Sequence, residues 1–516
     1  MKEEENIPSL FLLIQGLNST EKSYYKKLSK RHADHNTSLH LKLFKLIDES
    51  KIYDEEHLCR SLKISKIHFS GLKKYLYIDI LDSIVFEKRN TTTETQLHFL
   101  QEQIRILIEK RLFSLAQKLC KKAIELAENF GKYHYLIPLY HLQAQAMELS
   151  DYKQYQSKTD TIFASIQAAI FQQDLLAKNK FLYNKIKVQT QYSWLRIETE
   201  EIAEIINLKK VINTIKPGTN NEPLTSLYHF NALALCEYML HENALCTISC
   251  TLILSLWKKF PCLINEYPVL FFNSLNTTCY NNFLCKTITD QKENIMAYST
   301  LMESYLKNNF YRKHYEIIQF NTELKIHHKG AQYVEVKILI DNKAKNILST
   351  TAELMSSPDR LSLMCSICIS YFVLEEWNQA EELLMLVKEL NHDINREDIL
   401  YFSSVFYLLI LYEKQEWHRL DYAIEAAYHY LYIRKTFRPF ERKLILFLKK
   451  LFATPSKKTG ILLKQFLEQL DKDNALDKQL NFYYFNYYGW LESKLLGIRY
   501  MDYNRNKASA NAAISE

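Results

Sequence analysis

The chain has 516 residues, of which only 8 are Gly and 9 are Pro, well under the roughly 7% and 5% of average usage, so strand-linking turns are scarce and a helical protein is expected. With 47% hydrophobic against 24% charged residues, there is material for a large core, which excludes wholesale disorder. The net charge of +7 is modest for this length, and where it is concentrated matters more than its total.

The opening MKEEENIPSLFLLIQGL is acidic and holds five consecutive apolar residues, Leu10 to Ile14. A secretory leader has a basic start and a longer apolar stretch, so a cytoplasmic protein is expected. Residues 1–90 read as an N-terminal helical domain. Within it, EEHLCRSLKISKIHFSGLKKYL (55–76) resembles a helix-turn-helix. Leu58, Cys59 and Leu62 take the apolar positions of the first helix, Ile64 and Ser65 the turn, and Phe69 and Leu72 the packing face of the second. In that motif Lys66, His68 and Lys73 would face DNA. The competing reading is a plain helical hairpin. It is favoured by Lys63, which stands where a tight turn usually needs glycine, and by the continuation of the second helix through LYIDILDSIVFEK.

From 91 to 216 the pattern becomes repetitive. In LQEQIRILIEKRLFSLAQKLCKKAIELAE, Phe113 is followed by Ala116, Cys120 and Ala123, spacings that keep small residues on one helical face. KPGTNNEP (Lys216 to Pro223) breaks the helical run, and helix pairs resume over 223–355, as in LTSLYHFNALALCEYML followed after HEN by ALCTISCTLILSLWKKF. The uncharged window Tyr267 to Cys285 is too rich in Asn, Ser and Thr to supply the ~20 apolar residues of a spanning helix, so no membrane span is expected. Over 359–500 two further copies align without gaps around Trp377 and Trp417, with Ala380, Leu384 and Val387 after the first and Leu420, Ile424 and Ala427 after the second. These copies resemble the tetratricopeptide repeat. They depart from it in a period near 40, and in Ile104, Cys368 and Leu408 standing where the first helix usually has glycine. A divergent α-solenoid with longer helices is expected.

Cys365 and Cys368 form a CxxC within the apolar run LSLMCSICISYF and read as small core residues rather than a zinc or redox site. Between Leu431 and Lys464 ten basic residues face one acidic residue, Glu441, a local charge of +9. Arg434, Lys435 and Arg438 lead into FRPFERKLILFLKKLF, where Phe440, Leu444, Phe447, Leu448 and Leu451 form the expected buried face and Arg442, Lys443, Lys449 and Lys450 project opposite. This stripe reads either as a solvated helix face or as a candidate docking site for an acidic partner, protein or nucleic acid. The aromatic stretch LNFYYFNYYGWLESKLL (Leu480 to Leu496) reads as the last solenoid helix, with Leu480, Tyr484, Tyr487, Leu491 and Leu495 on its buried stripe and Phe482, Phe485 and Trp490 off it. The polar tail 503–516 reads as disordered.

LIQGLNSTEKSYYKKL (13–28), LHLKLFKLIDESKIYDEEHL (39–58), LKKYLYIDILDSI (72–84) and GWLESKL (489–495) together resemble an uncharacterised bacterial family of tetratricopeptide-like helical-repeat proteins. The resemblance implies that architecture along the whole chain and no catalytic residue. No phosphate loop, HExxH or GxSxG occurs, so no enzyme, cofactor or metal is expected. The function that follows is a scaffold or adaptor binding a protein or peptide through a concave surface. The alternative is a transcriptional regulator that reads DNA through 55–76 and senses a peptide or protein through its repeats.

Overall fold

In a computed structural model the protein is all-α, and no strand occurs among the described residues. The structure describes residues 9–32, 39–50, 52–192, 199–218, 222–285, 296–355, 357–394, 396–433, 439–453, 456–472 and 484–515. The chain divides into two compact units, Met1–Gln173 and Asp174–Glu516, and the division falls inside the helix Tyr152–Tyr192 rather than at a loop. The first unit holds α1 (Ser9–Gly16), α2 (Ser19–His32), α3 (Leu39–Glu49), α4 (Glu55–Leu62), α5 (Lys66–Glu87), α6 (Thr93–Glu109), α7 (Phe113–Asn129), α8 (Tyr133–Ser150) and the start of α9 (Tyr152–Tyr192). The second holds the end of α9, then α10 (Thr199–Thr214), α11 (Pro223–Met239), α12 (Asn243–Lys259), α13 (Leu263–Glu266), α14 (Pro268–Cys285), α15 (Asn309–Lys329) and α16 (Tyr333–Leu354). It continues with α17 (Ser357–Val373), α18 (Trp377–Ile394), α19 (Glu397–Glu413), α20 (Trp417–Ile433), α21 (Pro439–Ala453), α22 (Ser456–Asp471), α23 (Tyr487–Leu496) and α24 (Tyr500–Ser515).

One turn chemistry recurs. Arg111, His241, Ala331, Glu375 and Gln415 each sit at φ between 50° and 63°, between α6–α7, α11–α12, α15–α16, α17–α18 and α19–α20. At each, the next residue's N–H reaches back five residues, as in Leu112 N to Leu107 O (2.8 Å) and Glu376 N to Tyr371 O (2.9 Å). This is the Schellman ending, which satisfies the last carbonyls of the first helix. A left-handed non-glycine residue costs roughly 1–2 kcal/mol, so the packing it permits must more than offset that. The packing is uniform. Counting from the first residue of the second helix, position −9 of the first helix and position +3 of the second belong to the buried core in each hairpin. Those pairs, Ile104 with Ala116, Ala234 with Cys246, Leu324 with Val336, Cys368 with Ala380 and Leu408 with Leu420, are all buried. Two of them make the same contact in opposite senses: Cys246 Sγ donates to Ala234 O (3.3 Å), and Cys368 Sγ donates to Ala380 O (3.2 Å).

The two tryptophans that frame the sequence repeat contribute less. Trp377 is half-buried against Phe372, with ring centroids 5.1 Å apart, and Trp417 is 42% exposed. The small and branched residues after them carry the core.

The end of the chain departs from expectation. Tyr484 to Asn486 are not helical, and a helix begins at Tyr487, where Asn486 Oδ1 caps it by accepting from Gly489 N (2.9 Å). Residues 480–483 lie outside the described residues. Phe485 and Trp490, placed off the buried stripe by a wheel drawn over the whole segment, are buried, whereas Leu495 is exposed. The tail read as disordered is helical from Tyr500 to Ser515. Its alanines favour helix. Its Tyr503 packs so close to Gly489 that a Cβ there would lie 2.9 Å from the ring.

Candidate functional site

The basic segment falls partly on α21. Arg434, Lys435 and Arg438 lie outside the described residues. Phe440, Leu444, Phe447, Leu448 and Leu451 are buried, joined by Ile445, and Phe447 stacks on Phe466 at 4.1 Å. On the opposite side Arg442, Lys449 and Lys450 are exposed and Lys443 is half-buried. Lys449 is ion-paired with Glu425 of α20, whose carboxylate raises the lysine's pKa by accepting its hydrogen bond. Part of the positive field is thus neutralised within the chain.

On α5 the three residues placed toward DNA are each engaged. Lys66 pairs with Glu56 (3.1 Å). Lys73 pairs with Glu55 (2.6 Å) and lies over the Phe69 ring. His68 Nδ1 lies 3.0 Å from Ser65 Oγ. The hydrogen bond from Lys73 holds the Glu55 carboxyl below the usual range. The hairpin turn forms without glycine, because Lys63 itself takes φ 55°. Asp54 and Ser65 cap the two helices, accepting from His57 N and His68 N. α5 then runs for 22 residues, with Phe69, Leu76 and Ile80 fully buried.

Cys365 and Cys368 are fully buried, and burial pushes both thiols far above their ordinary range. No cluster of three metal-ligating side chains occurs among the described residues. No helix among them is long and apolar enough to cross a membrane.

Features not read from the sequence lie in the second unit. The first helices of successive hairpins touch one another, α14 against α11 and α15, and α19 against α17 and α21. On this wall Asn273 and Asn276 of α14, Asn321 of α15 and Asp359 of α17 surround a depression that α9 closes with Tyr183 and Lys187. Asn273 Nδ2 donates to Tyr183 OH (3.1 Å). Burial holds Lys187 below its ordinary pKa, and the charge of Asp359 opposes that shift. Amide side chains carry a donor and an acceptor together, the pattern that pairs with a peptide group.

Further along the wall, the segment from Tyr484 is anchored by a buried polar node. Arg396, wholly buried, donates to both carboxylate oxygens of Asp398 (3.1 and 2.6 Å), to Pro358 O and Ser362 Oγ (2.7 Å each), and to Tyr484 OH (3.0 Å). Tyr484 OH in turn donates to Asp398 (2.6 Å), and Trp490 Nε1 donates to Glu413 (2.6 Å). Beside this anchor a cleft of about 340 Å³ is lined by Trp377, Tyr500, Glu375, Glu413, Lys494 and Arg499. That volume suits one side chain or a small molecule. These residues are scattered over some hundred positions, so no local motif announces them.

Compared with known proteins, the chain matches no family model, no curated protein and no solved structure.

Proposed function

We propose that the chain is a non-enzymatic, cytoplasmic helical-repeat adaptor, tetratricopeptide-like in design, that binds a protein or peptide along the first-helix wall of its second unit. The observation that carries this reading is the side-by-side contact of first helices, which sets Asn273, Asn276 and Asn321 around one depression. Stacked helix pairs of this kind present an extended binding surface rather than a reaction centre. The basic stripe of α21 supplies a second contact for an acidic region of the same partner. Support for the regulator alternative is weakened by α5, whose length and buried face suit a structural helix and whose Lys66 and Lys73 already pair with Glu56 and Glu55.

The test is crosslinking capture from native cells with the parent and with Asn276→Arg, a half-buried position at the depression. Loss of one captured partner at unchanged melting temperature is expected. An identical captured set would sink the proposal.

A further inference from the structure

The helix α5 carries two apolar faces. One is buried in the N-terminal core through Phe69, Leu76 and Ile80. The other is open, with Ile67 85% exposed, Ile78 48% and Val85 54%. At 100° per residue Ile67, Gly71, Ile78 and Val85 fall within about 20° of one line along the helix, and Lys74 and Asp82 flank that line at about 40° on opposite sides.

Two details of this face have no use among the described residues. Gly71 stands inside a helix, where it destabilises relative to alanine. Yet a Cβ added there would meet nothing within 4 Å, so no neighbour demands its absence. Lys74 and Asp82 are exposed, and neither forms an ion pair with a described residue. The nearby Lys66 and Lys73 do have such pairs.

We propose that this face is the contact between two copies of the chain, packed antiparallel about a two-fold axis through Ile78. The register explains both details. Lys74 and Asp82 lie four residues, about 6 Å, either side of Ile78. An antiparallel copy therefore sets Lys74 level with Asp82 of its twin, twice over. Gly71 and Val85 lie seven residues either side, so each glycine receives the other copy's valine. Ile78 meets its own equivalent at the axis. A face whose charges and sizes exchange about one residue is complementary to itself, which is the requirement of an isologous interface.

The experiment is sedimentation equilibrium of the full chain across a range of concentrations, with circular dichroism to confirm folding of each variant. The parent is expected to show twice the 61.3 kDa of one chain. Lys74→Asp, which brings acidic groups together, should weaken the dimer at least ten-fold, and Lys74→Asp with Asp82→Lys should restore it. Independently, Ile78→Cys should crosslink to itself under mild oxidation beyond the level of the parent. Lys74→Cys should not, because its two copies lie about 12 Å apart along the axis, beyond disulfide reach. A parent that sediments as one chain throughout, or a dimer indifferent to the charge reversal, overturns the proposal and leaves the face to a different protein.

Discussion

Replacing Arg396 by leucine should be among the most damaging single changes in the second unit. The guanidinium is fully buried and feeds five hydrogen bonds, two of them to the carboxylate of Asp398, which is itself fully buried. Arg396→Leu removes two of the hydrogen bonds that this buried carboxylate accepts and keeps the one from Tyr484 OH. Breaking a buried pair from one side costs about 3–5 kcal/mol, mostly the penalty of the stranded charge rather than the worth of the pair. If so, removing the charge as well should recover part of the loss: Arg396→Leu with Asp398→Leu should cost at least ~2 kcal/mol less than the sum of the two single changes. Denaturant unfolding measures the cycle, and hydrogen exchange localises it. Exchange should quicken at Tyr487–Leu496 and α17, which the node joins, before it quickens at α11. Additive single effects, or an Arg396→Leu cost under about 1 kcal/mol, would refute the reasoning.

At the hairpin turns, Gln415 at φ 57° should accept glycine without loss, while Gln415→Val should cost about 1–2 kcal/mol because a branched side chain resists the left-handed region; equal melting temperatures for the two variants would show that the turn is not strained. Burial holds His229 and His328 down to about 4 each, so the unfolded chain takes up protons first as pH falls below the ordinary histidine value of 6.5. Stability is therefore whole above ~6.5 and falls between there and 4 by up to ~1.4 kcal/mol per pH unit for each histidine, and His229→Gln should shallow that fall in denaturation curves taken across the window. Reversing Arg442, Lys449 and Lys450 to Glu should move the melting point little, at a few tenths of a kcal/mol per exposed site, yet abolish capture of an acidic partner; unchanged capture would mark the stripe as solvent-facing surface.

The helical class was legible because Gly and Pro are so few, and the hairpin faces were legible because small residues recur after Phe113, Trp377 and Trp417 at helical spacing. The turns were not. Gly131 and Gly497 take left-handed positions, but six others hold Lys, Arg, His, Ala, Glu and Gln, so there the usual glycine signal is missing, and Lys63 counted against a turn that it in fact forms. The aromatic segment misled for a different reason. A helical wheel assumes one continuous helix, but Tyr484 and Phe485 precede the helix and take their positions from Arg396 and from Phe372 and Phe406. Nothing local encodes those distant partners. In the tail, short polar residues suggested disorder while the alanines among them favoured helix, and the contact of Tyr503 with Gly489 decided between the two.

The anchoring of Tyr484 on Arg396, 88 residues upstream, also sets a timetable. The hairpins close through neighbours a dozen positions apart, so each can form soon after it leaves the ribosome. α19 is different: it is buried on almost every side, and Phe402 and Phe406 on it are covered by Tyr484 and Phe485. Until those last residues emerge, a nascent chain carries an open aromatic seam. Translation stalled or truncated before residue 484 would release a product with native-like hairpins and a sticky core, the kind of species that chaperones hold and proteases remove.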